Sequence, residues 1–178
     1  SRAQPASKVG PLGPLLDLLS TADACRFGLD EICDISIVGL IDKAREDRAN
    51  GLSFMYLVVT TSRRVAGVIR ARALDPVFEA AEWEATLLPS LRGTGLFLEV
   101  ARLVGSFAFG TLGTHRIESR VLPQNGRANG ALRKLGAVQE GILRRSLHQD
   151  GHYHDQVLWS VLREDWTNHW VSTAPRVH

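Results

Sequence analysis

Pro89-Ser-Leu-Arg-Gly-Thr-Gly-Leu-Phe-Leu98 joins the end of an apolar run to the start of a strongly amphipathic one. Two glycines let a backbone approach a ligand closely. The unpaired N–H groups of a helix's first turn point outward with positive partial charge. Arg92 adds a cationic fork beside them. The stretch reads either as a seat for a phosphate or as an ordinary loop with a helix cap. Its surroundings decide between the two.

Toward the C-terminus, the helix that opens at the glycines places Leu96, Val100, Leu103, Val104 and Phe107 on one face and stops at Leu112-Gly113. Residues 115–122 alternate as a strand through Ile117, Ser119 and Val121. Pro123-Gln-Asn-Gly126 is a turn, and residues 127–135 form a short helix stopped by Gly136. The last third reads as two strands around Asp150-Gly151, a strong hairpin signal. Toward the N-terminus lie three strand-like runs, 54–60, 64–73 and 79–88, with Asp75-Pro76 turning between the latter two. A helix over about 35–49 ends at Asn50-Gly51. Before it come a helical stretch around Leu15–Leu19 and a Pro/Gly-punctuated segment through Pro14. This order predicts an α/β (α+β) fold in which helices cover the faces of one mixed sheet.

Composition narrows the function. A chain of 178 residues that is 44% hydrophobic carries one core. A formal net charge of +2 lacks the basic excess of a nucleic-acid binder, and no apolar stretch reaches transmembrane length. Residues 1–10 have positive charges but no apolar region after them, so no signal peptide is read and a cytoplasmic location is expected. Cys25 and Cys33 fit neither a CxxC nor a zinc spacing and read as reduced thiols. His148, His152 and His154 with Asp150 and Asp155 could surround a metal, but the Asp-Gly turn explains their composition, and no metal is expected. Leu98 stands where a dinucleotide fingerprint needs its third glycine.

The strand followed by Pro-x-x-Arg-Gly-x-Gly, the amphipathic helix and Leu112-Gly-Thr-His-Arg-Ile-Glu118 together resemble the GNAT superfamily of acetyl-CoA-dependent N-acetyltransferases. So does Asn125-Gly-Arg-Ala-Asn-Gly-Ala-Leu-Arg-Lys-Leu-Gly-Ala137 with Glu140-Gly-Ile-Leu-Arg144. The ending Asp150-Gly-His-Tyr-His-Asp-Gln-Val-Leu-Trp159 with Arg163-Glu-Asp-Trp166 looks like the RimJ/RimL-type branch. The match is specific over about 81–166. It implies one domain over 1–178, mostly antiparallel in its sheet, with 1–14 and 167–178 flexible or peripheral.

The resemblance implies acetyl-CoA as co-substrate. Its pyrophosphate would rest on the amides of Arg92, Gly93, Thr94, Gly95, Leu96 and Phe97. Its pantetheine arm would lie along the main chain of Thr86, Leu87 and Leu88, a strand expected to splay from its neighbour at a β-bulge. Phe97 departs from the family's usual Gly or Ala, and Thr94 could add a hydroxyl to the phosphate. Asn125 would anchor the far wall of the site, or else form the turn before Gly126. Arg127 and Arg133 could reach the phosphates or stand in solvent.

The amine must attack in its neutral form. Glu82 matches the family position that supplies a carboxylate base. Glu84 shares its strand face and stands second. Two carboxylates so placed would raise one pKa through desolvation and like-charge repulsion. Either could instead face solvent or pair with Arg70 or Arg72, which is the simpler reading for Glu84. No acid is assigned: the chain has Leu132 and Ala128 where family members carry a Tyr or a Ser, leaving Tyr153 and Ser119 as the hydroxyls at hand. The acceptor implied is a primary amine, with a peptide or protein N-terminus first. A small-molecule amine and a non-catalytic acyl-CoA-binding module remain as alternatives, and a homodimer is left open. Trp159, Trp166 and Trp170 read as core or interface aromatics.

Overall fold

The computed structural model describes residues 2–5, 37–60 and 65–166. The helical stretch near Leu15–Leu19, both cysteines and Trp170 with the tail from Thr167 lie outside the described residues.

One seven-stranded sheet organises the chain, built from β1 (Arg2–Pro5), β2 (Ser53–Val59), β3 (Val65–Ala73), β4 (Ala80–Leu87), β5 (Arg116–Val121), β6 (Val138–Gln149) and β7 (His152–Leu162). The spatial order is β1-β2-β3-β4-β5-β7-β6. Every pairing is antiparallel except β4 with β5, which run parallel. Strand β1 adds to the edge beside β2 at a place where the sequence suggests only a Pro/Gly-punctuated segment. A four-residue strand held by one neighbour leaves no hydrophobic period to read.

The helices of the described residues include α1 (Ile37–Ala49), α2 (Leu96–Phe107) and α3 (Gly126–Lys134). After α2 the chain widens into a π-type turn, Ala108–Leu112, and stops at Gly113 in the left-handed region. Helix α2 buries Val100, Ala101, Val104 and Gly105. Leu103, expected on that face, is 47% exposed. At 100° per residue the buried stripe is centred between Val100 and Gly105, which puts Leu103 on its far side. The stripe turns that way because Trp166 lies on Gly105, where a Cβ would come within 2.6 Å of the indole.

The core joins Ile69, Trp83, Ile117, Val121 and Trp159 of the sheet to Val100 and Val104 of α2 and to Leu132 of α3, with Leu135 just beyond it. Edge-to-face rings extend it at the β2 end, with Phe54–Phe107 at 5.5 Å and Tyr56–Phe107 at 5.8 Å. Trp159 and Trp166 are core residues, 3% and 6% exposed. Among the described residues no helix is long and apolar enough to cross a membrane.

On the opposite face, Arg116 of β5 forks onto Glu140 of β6 across the intervening β7, at 2.7 and 2.5 Å, and Ser160 Oγ donates to the same carboxylate at 2.6 Å. These bonds hold the Glu140 carboxyl down at about 2. A folded value below the ordinary glutamate value of 4.5 adds stability above 4.5 that is lost as pH falls through about 2. Thermal melts of the wild type should therefore drop across that window, and Glu140→Gln should flatten the drop. Parallel losses in both proteins would contradict the assignment.

Candidate functional site

Strand β5 pairs with β7 along its whole length, from Arg116↔Leu162 to Val121↔Val157, but with β4 only from Ala80↔Arg116 to Glu82↔Glu118. Beyond Glu82 the two parallel strands part. The β3–β4 register runs unbroken from Ala73↔Ala81 to Gly67↔Leu87, so no bulge opens the gap, contrary to the sequence expectation. The opening arises because β5 follows β7 and β4 follows β3 as the sheet twists.

Leu88 N–H donates to Ala66 O at 2.8 Å, toward β3. Main-chain groups alternate sides along an antiparallel strand, so those of Ala85 and Leu87 turn toward the opening. Of the expected trio Thr86, Leu87 and Leu88, only Leu87 presents its main chain there. Ala85, outside the expected set, does the same. Leu87 O already accepts from Arg92 Nε at 3.2 Å, which folds the guanidine stem back onto the end of the strand.

The glycine turn begins where β4 ends. Pro89–Leu91 forms one 3-10 turn, and Arg92 N–H closes it on Pro89 O at 3.2 Å. The Arg92 amide, counted in the expected phosphate seat, is therefore occupied. Gly93 and Gly95 have φ of 85° and 86°, a region that side chains disfavour. Gly95 caps α2, receiving the amides of Leu98 and Glu99 on its carbonyl. Thr94 Oγ1 donates to Leu91 O at 2.8 Å, which pins the turn. Among the described residues the N–H groups of Gly93, Thr94, Gly95, Leu96 and Phe97 meet no acceptor. Five unpaired amides at a helix N-terminus, three of them on exposed residues, form an anion seat. Phe97, the departure from the small residue expected, packs its ring on the core and walls the adjoining cavity.

That cavity, about 200 Å³, occupies the parting of β4 and β5. Glu82, Glu84 and Thr86 line it from one strand, Ser119 and Arg120 from the other, and Ala128 and Leu132 from α3. Both carboxylates stand on one face and both are ion-paired. Glu82 is 4% exposed, with Oε2 bound by Arg72 Nη2 and Oε1 3.5 Å from Arg120 Nε. Glu84 Oε2 takes Arg70 Nη2 at 2.6 Å. Burial pushes the Glu84 carboxyl above the ordinary glutamate range, and the Arg70 guanidinium opposes that rise without cancelling it. Thr86 is 3% exposed, and its Oγ1 has no hydrogen-bond partner.

Asn125 caps α3, its Oδ1 accepting from Ala128 N–H at 3.1 Å. Asn125 and Arg127 do not line the cavity, and Arg127 is exposed. Arg133 lies over the Trp159 ring at 5.5 Å. Asn129, which sequence reasoning passed over, holds this wall: it accepts from Trp159 Nε1 at 2.8 Å and donates to the carbonyls of Leu122 and Asn125. Arg72, Arg120 and Gln156 were also missed as cavity residues. Period-2 spacing puts Arg120 on the face of Glu118, but only the parallel β4–β5 pairing brings it to Glu82. Tyr153 is 65% exposed beside His148 near the hairpin tip, away from the cavity that Ser119 lines. Among the described residues no three His, Cys, Asp or Glu side chains gather as a metal site.

Comparison with known proteins gives the same outline. The acetyltransferase (GNAT) domain family matches residues 14–138. The uncharacterized N-acetyltransferase YoaA of Bacillus subtilis is 30% identical over 102 residues, 57% of this chain and 58% of that protein. Spermidine N(1)-acetyltransferase of Escherichia coli K12 is 23% identical over 149 residues, covering 83% and 78%. The chain spans 58%, 40% and 56% of the lengths of the first three curated relatives it matches. Among solved structures, a point mutant of the spermidine N-acetyltransferase SpeG from Vibrio cholerae superposes with a TM-score of 0.70 at 17% identity, over 95% of this chain and 98% of that one.

Proposed function

The chain belongs to the acetyltransferase (GNAT) domain family, whose members take acetyl-CoA as co-substrate, and from that premise we propose that it acetylates the α-amine of a peptide or protein N-terminus. One observation carries the reading. Five unpaired amides sit at one end of the β4–β5 parting, and a cavity holding a desolvated carboxylate sits along it.

Gly93 to Phe97 bind the pyrophosphate through convergent main-chain hydrogen bonds, to which the dipole of α2 adds about 1 kcal/mol. The open main chain of Ala85 and Leu87 orients the arm so that the thioester enters the cavity. A strand amide there polarises the carbonyl, and positioning supplies much of the acceleration. Glu84 takes the amine proton. Glu82, the base expected from the sequence, has both oxygens beside guanidinium groups, whereas Glu84 Oε1 has no partner among the described residues. A carboxyl raised toward neutrality is also the better general base. Asn125 and Arg127 flank the site without touching the cavity, so their part is confined to shaping the start of α3 and the field near the phosphates.

The charge balance supports an α-amine. The cavity presents two carboxylates against two guanidiniums, Arg72 and Arg120, so no negative field is left over for a polycation. An N-terminal residue brings both an amine and a carbonyl acceptor to such a mixed lining. Its amine, with a pKa near ~8 against ~10.4 for lysine, is easier to neutralise by roughly 3 kcal/mol. This acceptor also suits the RimJ/RimL-type ending. A second reading, a polyamine acceptor, is favoured by the similarity to spermidine N(1)-acetyltransferase over most of the chain.

Incubation with acetyl-CoA and either N-terminally free peptides or spermidine, following thiol release, separates these readings. A higher kcat/KM with peptides is expected. The reverse order would give the acceptor to the polyamine class. Acetyl-CoA binding with no thiol release from either would leave a non-catalytic module.

A further inference from the structure

Resting on the acetyltransferase reading, we propose that Thr86 is a catalytic residue whose hydroxyl donates a hydrogen bond to the departing thiolate. A buried hydroxyl without a partner costs stability, so one that persists on a cavity wall is matched to something that enters the cavity. Thr86 Oγ1 is that group: it is buried, unpartnered and lines the parting of β4 and β5. It lies two residues beyond Glu84 on the same strand face, between the proton acceptor and the anion seat. A thioester whose phosphates rest on Gly93–Phe97 must bring its sulfur along this stretch of β4.

Of the cationic donors in the lining, Arg72 and Arg120 both pair with Glu82. Ser119 stands on β5, on the opposite sheet face from Glu82 and Thr86. The backbone under Thr86 is firmly set. Its carbonyl would lie 2.4 Å from a Cβ at Gly67, so β3 and β4 are packed as closely as a glycine allows.

The step balances without an added acid. The neutral amine's lone pair forms the N–C bond, and the tetrahedral intermediate collapses with cleavage of C–S. Sulfur leaves with the electron pair, and the amine proton passes to Glu84. Thr86 keeps its proton and stabilises the sulfur's charge, and water later protonates the thiolate.

Thr86→Val keeps the shape and removes the donor, and Thr86→Ser restores it. Thr86→Val should lower kcat by roughly 10²-fold, the scale of one lost transition-state donor, with KM for acetyl-CoA unchanged. Its melting temperature should equal or exceed that of the wild type, because no protein bond is lost. Thr86→Ser should recover most of the turnover. A structural role predicts the opposite pattern, a lowered melting temperature with kcat preserved in the folded fraction. Thr86→Val turning over within about twofold of the wild type would overturn the inference, that margin being small against the expected loss. A wild-type protein that binds no acetyl-CoA would instead overturn the reading beneath it and this inference together.

Discussion

Glu84→Gln is expected to lower kcat/KM by at least roughly 10²-fold, the usual contribution of a positioned general base. The substitution keeps size and a hydrogen-bond acceptor for Arg70 while removing proton affinity, so the fold should survive it. The acid limb of the pH profile gives a second readout. Burial raises the Glu84 carboxyl, so in the wild type activity should fall as pH drops through a value above the ordinary glutamate range. Below that value Glu84 is protonated and cannot accept the amine's proton. In Glu84→Gln this limb should vanish. Glu82→Gln should behave differently. It strips a buried charge from Arg72 and Arg120, so its main effect should be a lower melting temperature. Steady-state kinetics and thermal melts of both variants test the assignment. Full activity in Glu84→Gln with activity abolished in a well-folded Glu82→Gln would return the base to Glu82.

Gly67→Ala should be the most destabilising of the small substitutions. A Cβ there would lie 2.4 Å from Thr86 O, 2.6 Å from Leu87 Cδ2 and 3.1 Å from Leu87 Cα. Two of those atoms belong to the backbone of β4, so relief requires the strands to move apart rather than one side chain to turn. Overpacking of this kind costs about 3 kcal/mol. The displaced segment also carries the open main chain beside the cavity, so acetyl-CoA affinity should fall with stability. Gly130→Ala, inside α3 with nothing within 4 Å of its Cβ, is the contrast. It should stabilise the protein by up to about 1 kcal/mol through helix propensity. Denaturant melts and calorimetry decide both. An unchanged midpoint for Gly67→Ala would mean that β3 and β4 do not pack as described.

Signals that act within a few residues could be read from the chain. Asp150-Gly151 announced its hairpin because both residues take positive φ, 51° and 74°. Gly51, Gly113 and Gly136 marked turns by the same left-handed preference. The glycine turn before α2 was legible because two glycines and an amphipathic run stand next to each other. What escaped reading depends on partners distant in sequence. Leu103 has the right spacing for the buried face, yet the position of Trp166 rotates that face away from it. The parting of β4 and β5 comes from a competition between β3 and β7 for their neighbours, which leaves no local mark such as a bulge. Arg120 and Gln156 reach the cavity only through that long-range pairing. The carboxylates and their pairing with Arg70 or Arg72 of the neighbouring strand were legible, but the second guanidinium at Glu82 was not, because Arg120 comes from β5, far along the chain.

In the proposed function, main-chain amides from Gly93 to Phe97 hold the diphosphate of acetyl-CoA and so direct its thioester to Glu84. An amide-resolved NMR titration with CoA reads that contact residue by residue. The largest shifts should fall on the N–H signals of Gly93, Thr94, Gly95, Leu96 and Phe97, with smaller ones at Ala85 and Leu87. Saturable binding that leaves those five signals in place would contradict it.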